Sequence, residues 1–405
     1  MALTALISAY QESGEPGGPL RAVLPLAGRT LIERQAKLAA LAGARRILVL
    51  VERVPPELLA ALDRLRRDGL AVLLARSAEE AAGQVDPSDP LLLVADGFIG
   101  DECHLRRLAA AVPPALLTVP DASVDDRFER IDAESRWAGL ALVDGAMLAE
   151  TASMLRDWDP QSTLLRRAVQ SGARMLSVQG EAGAGNLIIA ERLADLSRVH
   201  RGIVDRAASG RGDWISQYLL GPIERVATHA LMGGAVTPLA VGLAAVALTA
   251  LGAAAFVWHY LWVGLLLMLL ATPLDGIADR LARLRLEEGV GTSWWCHLLP
   301  ALAAAGLFAL GLSIGRVHGW GSILLVAVLL LFLLAQRFEI EGEEPRGLIF
   351  LAERKGLLWL LLPFAIAGYW LAGLFAMFVY AAGSFFWAQR AVRAGVPPAS
   401  AGDQD

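Results

Sequence analysis

The sequence predicts an α/β N-terminal domain followed by an all-α six-helix transmembrane domain, with an interfacial amphipathic helix between them. Three observations carry this. Of the 405 residues, 55% are hydrophobic, and the mean hydropathy is +0.49, too apolar for an ordinary soluble chain of this length. The composition breaks near residue 210: charged and apolar residues mix before it, and bilayer-length apolar runs dominate after it. Short β-rich runs alternate with helix-like segments in the first half only. The expected boundaries are an α/β domain over 1–195, a linker with the interfacial helix over 196–232, a six-span domain over 233–393 and a disordered tail over 394–405.

In chain order, the strand candidates are "LTALIS" (3–8), "RRILVLV" (45–51), "LAVLLA" (70–75), "LLLVAD" (91–96) and "ALLTV" (114–118). The opening "MALTALISAY" has neither a basic leader nor a long apolar core, so it reads as the first strand. In a sheet covered on both faces, ligands bind beyond the carboxyl ends of strands, which singles out Asp96 as a metal candidate. A strand-end turn role competes with that reading. Gly14, Gly17 and Gly18 form a glycine loop after the first strand, with Arg21 just beyond it. Such a loop either cradles phosphate through its N–H groups, with Arg21 adding charge, or is a plain turn with a solvated arginine.

The second half begins "DWISQYLLGPIERVATHALM", where apolar and polar residues interleave as in a helix lying along a bilayer surface. Six spans follow at about 235–257, 260–281, 296–315, 319–336, 356–371 and 373–389. Arginines cluster after the second, fourth and sixth spans, and only Arg316 lies on the opposite links. The positive-inside rule then puts both termini and the α/β domain in the cytosol, with the spans in the cell inner membrane. The net charge of −5 and the lack of a basic stripe exclude nucleic acid as the expected partner; the lipid bilayer takes that place. Cys103 and Cys296 are the only cysteines and have no ligand spacing, so neither a disulfide framework nor a zinc site is expected.

At the cytosolic end of the second span stands "LDGIADRLARL" (274–284). Asp275 and Asp279, at i and i+4, share one helix face and can hold a metal ion, or they can form a charge ladder with Arg283. Ionisable groups at this depth favour a functional pocket. His297 reads either as a general base at neutral pH or as an interfacial anchor beside Trp294 and Trp295. The run "RFEIEGEEPRGLIFLAERKG" (337–356) reads as a solvated charged loop on the same side.

Two family resemblances attach to these residues. "LRAVLPLAGRTLIERQAKLAALAGARRILVLV" (20–51) with "LLLVADGFIGD" (91–101) resembles the sugar-nucleotide and cytidylyl nucleotidyltransferases. That resemblance implies a nucleotide held by Gly17, Gly18 and Arg21 with a metal on Asp96. The family's Gly-x-Arg signature is missing, and Arg21 stands where its lysine would be. "LDGIADRLARL" resembles the CDP-alcohol phosphotransferases, in which four aspartates hold divalent cations on a CDP pyrophosphate and the last acts as base. Asp275, Gly276, Ala282, Arg283 and Gly291 fall on motif positions, whereas Ala278, Trp295 and Leu299 replace the other three aspartates. A register shifted so that Asp275 is the second aspartate puts Thr272, Ser293 and His297 at the other three. The fusion of both domains is similar to the bifunctional inositol-phosphate cytidylyltransferase and phospho-di-inositol synthase.

The resemblance implies Mg²⁺ or Mn²⁺ if the chain is active, a CDP-alcohol or nucleotide ligand bound through Gly276, Arg283 and Gly291, and a homodimer. Loss of motif carboxylates in both halves favours a silent relative that binds or regulates an active paralogue in phospholipid synthesis. The alternative is an active transferase moving a phospho-alcohol from a CDP-alcohol to an alcohol acceptor through a modified metal site.

Overall fold

The computed structural model describes residues 2–14, 17–121, 127–154, 159–178, 187–196, 199, 214–232, 236–286, 293–340 and 350–395. The chain divides into two compact units, Met1–Asp205 and Arg206–Asp405.

The strands of the first unit are β1 (Thr4–Ser8), β2 (Pro25–Leu26), β3 (Arg29–Thr30), β4 (Arg46–Leu50), β5 (Val72–Ala75), β6 (Pro90–Val94), β7 (Phe98–Ile99), β8 (Ala115–Pro120), β9 (Ser135–Asp144), β10 (Arg174–Ser177) and β11 (Ile188–Ile189). Seven of them form one sheet in the order β10-β8-β9-β6-β1-β4-β5. The run β5-β4-β1-β6 is parallel, β9 is antiparallel to both β6 and β8, and β10 closes the edge parallel to β8. β1 is buried along its whole length and β4 and β6 along nearly all of theirs, because helices cover both faces of a parallel sheet. Those helices are α1 (Leu31–Leu41), α2 (Pro56–Arg67), α3 (Ala78–Gly83), α4 (Glu102–Ala109), α5 (Gly145–Met154) and α6 (Pro160–Gln170). The "AGRTLIER" segment turns through β2 and β3 into a capping box: the Glu33 carboxylate takes the Thr30 N–H and the Arg64 guanidinium. All five expected strands are present in the seven-stranded sheet, to which β9 and β10 are additions; β2, β3, β7 and β11 pair outside it.

The second unit is helical: α7 (Trp214–Tyr218), α8 (Gly221–Met232), α9 (Pro238–Val257), α10 (Leu261–Leu284), α11 (Ser293–His318), α12 (Gly321–Ile340), α13 (Arg354–Ile366) and α14 (Trp370–Gly395). Five of these helices are long and apolar enough to cross a membrane. The expected fifth span, 356–371, is not among them. Its place is taken by α13, whose 13 residues reach only about 20 Å at 1.5 Å per residue, against a hydrocarbon core of about 30 Å. The run looks longer in sequence because apolar residues continue through a turn at Gly368 (φ 80°) into α14.

Residues 350–353 ahead of α13 are not helical, and side chains meet backbone groups of residues 350–352. Ala352 donates to Ser384 Oγ at 2.6 Å, Gln336 Nε2 donates to the Ala352 carbonyl at 3.4 Å, and Tyr380 donates to the Phe350 and Leu351 carbonyls at 3.2 Å. Irregular backbone among apolar helices requires such partners. α10 shows the same economy at Pro273, which has no N–H for the Leu269 carbonyl. The Thr272 hydroxyl donates to that carbonyl at 2.7 Å, and Trp359 Nε1 donates to Thr272 Oγ1 at 3.3 Å. The expected tail beyond 395 lies outside the described residues.

Candidate functional sites

In the first unit the candidate site lies outside the carboxyl ends of β1 and β6, where the strand order reverses: β4 and β5 are added on one side of β1 and β6 on the other. Asp96 lies two residues past the end of β6 and is 2% exposed. Its Oδ2 accepts the Gln11 N–H at 2.7 Å, while Oδ1 is buried without a hydrogen-bond partner. Burial pushes the Asp96 carboxyl up to about 7, outweighing the Gln11 N–H and the nearby Arg21 charge. Gly97 fixes the turn after it: φ is +78°, and an added Cβ would stand 2.5 Å from the Ala190 carbonyl oxygen.

The surroundings of Asp96 include groups that sequence reasoning missed. Gln161 Oε1 accepts the Asp96 N–H at 3.2 Å. Asp159 caps α6 by accepting the Ser162 N–H at 2.8 Å, and it also accepts the Tyr10 hydroxyl. Burial, then this bond to Asp159, drives the Tyr10 hydroxyl well above its ordinary range. Glu129 accepts the Ser162 hydroxyl at 3.1 Å, and its carboxyl is raised first by burial. Tyr10 and Asp159 are 149 positions apart, so no local pattern links them.

The glycine loop is closed on itself. Ser13 donates to the Pro19 carbonyl and Arg21 to the Gln11 carbonyl, and Gly17 takes φ 85°. The Gly17 N–H, the kind of group expected to meet phosphate, donates to Glu12 Oε2 at 2.5 Å. Arg53 binds the Glu12 carboxylate at 2.7 Å and the Gly18 carbonyl at 2.8 Å. Arg21 opens a 3₁₀ turn (Arg21–Val23) and meets Glu191 at 3.4 Å.

In the second unit Asp275, Gly276, Asp279 and Arg283 all lie on α10. The expected charge ladder forms only in part: Arg283 reaches Asp279 at 3.8 Å, but Asp275 turns to α13. There it is ion-paired with Arg354 and, at 3.2 Å, with Lys355. The other surprise is Glu224 on α8, 1% exposed and paired with Arg280 at 2.8 Å. Burial raises the Glu224 carboxyl above its ordinary range although Lys355 and Arg280 stand nearby. Gly276 is explained by this packing, because a Cβ there would overlap the Glu224 carboxylate.

A small pocket opens beside Asp275, lined by Thr249, Thr272, Arg354 and Leu299 among others. Leu299, one of the positions where the motif would put an aspartate, thus stands in the pocket wall as an apolar group. Gly291 and the side chain of His297 lie outside the described residues.

Divalent metal ions need several anionic oxygen donors. Among the described residues no three His, Cys, Asp or Glu side chains converge as a metal set, and the Asp275 carboxylate carries two cationic side chains. The described residues around Asp275 therefore do not fit a two-cation centre. Asp96, with one buried oxygen unpartnered, keeps a feature of a single-ion contact.

No family model matches the sequence, and no curated protein matches it. Among solved structures the chain is similar to a nucleotidyl transferase from Methanothermobacter thermautotroptrophicus, at 16% identity and a TM-score of 0.38, over 51% of this chain and 99% of that one.

Proposed function

We propose that the protein is a silent relative of the CDP-alcohol phosphotransferases fused to a nucleotidyltransferase-like domain, serving phospholipid synthesis as a binding or regulatory partner of an active paralogue. The supporting observation is the ion pairing of Asp275 with Arg354 and Lys355, which neutralises the carboxylate that would have to carry metal. On this reading the chain is a homodimer of the cell inner membrane with its α/β unit cytosolic. α7 and α8 lie in the bilayer surface: Tyr218, Ile223 and Val226 on them and Leu219 in the turn between them are large and exposed, whereas Glu224 and Thr228 face inward.

One observation favours a residual nucleotide role in the first unit. The unpartnered Asp96 oxygen suits a cation or a ligand hydroxyl, with Arg21, Gly17 and Gly18 as phosphate contacts once Glu12 withdraws. The active alternative, with Asp275, Asp279 and Arg283 as a modified metal site, predicts Mg²⁺- or Mn²⁺-dependent CMP release from CDP-alcohols that disappears in Asp275→Asn. Binding of the donor without CMP release supports the silent reading. Turnover that depends on Asp275 refutes it.

A further inference from the structure

We infer that the end of the helical unit remote from Asp275 carries a binding corner for an anionic phospholipid headgroup, built on Arg316 and His259. The corner requires only that this unit crosses a bilayer, and it stands whether or not the chain is catalytically silent. Three links meet at that end: residues 258–260 between α9 and α10, 319–320 between α11 and α12, and 367–369 between α13 and α14. Asp275 lies about 21 Å further along α10 than Leu261, at 1.5 Å per residue, so a layer of apolar side chains separates the two ends.

Two contacts bring the guanidinium and the imidazole together where α9 ends against α11. Arg316 Nη1 donates to the Val257 carbonyl at 3.4 Å, and Ser313 Oγ lies 2.7 Å from His259 Nδ1. Histidine is an unusual choice for position 259. It follows the C-cap of α9 with φ 65°, and its N–H and that of Tyr260 close the helix onto the Phe256 and Ala255 carbonyls at 3.1 and 2.9 Å. The residues that follow the ends of α11 and α13 in the same left-handed conformation are glycines, Gly319 (φ 88°) and Gly368 (φ 80°). A histidine carries strain that glycine avoids, and what it adds is an imidazole. Nδ1 reaches Ser313, and because His259 is exposed, Nε2 can meet a ligand.

The charge at this end has one sign. The stretches 233–274, 289–338 and 354–402 contain no aspartate or glutamate, so no acidic side chain of these spans answers Arg316. Arg316 is exposed and its protein contact is a carbonyl, which leaves its charge for an anion from outside. Around the corner stand the exposed rings of Trp258, Tyr260, Trp320 and Tyr369. Such amphipathic rings settle at the level of the lipid headgroups, the depth at which phosphodiester oxygens lie. Guanidinium and imidazole N–H groups match those oxygens. A lipid with net negative charge therefore satisfies both the rings and the cation, whereas a soluble anion would satisfy the cation alone.

The test uses the full chain in nanodiscs made of equal parts phosphatidylcholine and phosphatidylglycerol. Native mass spectrometry reads the ratio of the two lipids that stay bound once the disc is stripped away. The wild type is expected to retain phosphatidylglycerol in preference. Arg316→Gln should lower that ratio about fivefold for the most tightly held lipid, the effect of one arginine at an anionic headgroup layer. Arg316→Lys should keep most of the preference. His259→Gly relieves the backbone strain but removes the imidazole, so the ratio should fall there too; a histidine that only closed the helix end would leave it unchanged. A wild type without preference for phosphatidylglycerol, or a ratio in Arg316→Gln or His259→Gly equal to that of the wild type, overturns the inference. CMP release from CDP-alcohols bears on catalysis alone and leaves this result untouched.

Discussion

Replacing Asp96 by asparagine should change how the first unit responds to pH, and the sign follows from burial. An unfolded aspartate titrates near about 4; in the fold, burial raises Asp96 to about 7. Between those values the folded chain holds one proton more than the unfolded chain, so stability falls as pH rises. The contribution is fully present below about pH 4 and is lost above about pH 7. At about 1.4 kcal/mol per unit, a shift of about three units corresponds to roughly 4 kcal/mol. The substituted amide cannot titrate, yet its carbonyl oxygen can still accept the Gln11 N–H. The stability difference between Asp96→Asn and the wild type should therefore move by about 4 kcal/mol in favour of the variant from pH 4 to pH 8. Amide hydrogen exchange in β1 and β6 of the full chain, corrected for intrinsic rates, measures it. Parallel loss of protection in both proteins, or a carboxyl titration midpoint below about 5 for Asp96, would refute the reasoning.

Three further perturbations probe the other contacts. Glu12→Gln removes the carboxylate that holds the Gly17 N–H, and calorimetry should show nucleotide triphosphate binding about fivefold tighter; unchanged affinity means the loop is not a phosphate cradle. Gly276→Ala drives a methyl group into Glu224 and splits its buried pair with Arg280, a loss of about 3 kcal/mol visible in detergent melts. A wild-type melt would show that Glu224 swings aside without cost. Ser384→Ala strips the buried Ala352 N–H of its acceptor and should destabilise the second unit by about 1–3 kcal/mol in the same assay. No change there would show that the Ala352 N–H finds another acceptor without cost.

Much of the fold could be read from the sequence because burial on both faces leaves continuous apolar runs, as in β1, β4 and β6. β9 escaped because "SRWAGLALVD" starts with polar residues and is broken at Gly139, where φ is 86°. Five spans were legible from hydropathy. The expected fifth span, 356–371, was not excluded by it, since hydropathy sums apolar content and is blind to the turn at Gly368. The candidate site was legible where its residues share a helix, as with Asp275, Gly276 and Asp279. Its partners were hidden by distance: Arg354 lies 79 positions from Asp275 inside a run that reads as a solvated loop. Glu224 sits in an amphipathic helix whose polar residues would face outward by composition, and the fold turns Glu224 and Thr228 in while Arg225 and His229 stay exposed. Carboxylates can be counted in a sequence, but the cations that neutralise them become visible only when the helices pack.

The pairing at Asp275 also bears on what kind of loss separates binding from catalysis. A guanidinium and an ammonium together bring the same formal charge as one divalent cation, so they can attract a phosphate nearly as well at long range. They donate hydrogen bonds along fixed directions, however, and offer no vacant orbital for an oxygen lone pair. They can neither polarise a phosphoryl group as a Lewis acid does nor lower the pKa of a bound hydroxyl to the same extent. Exchange of a metal for Arg354 and Lys355 would therefore remove transition-state stabilisation while leaving ground-state attraction largely in place.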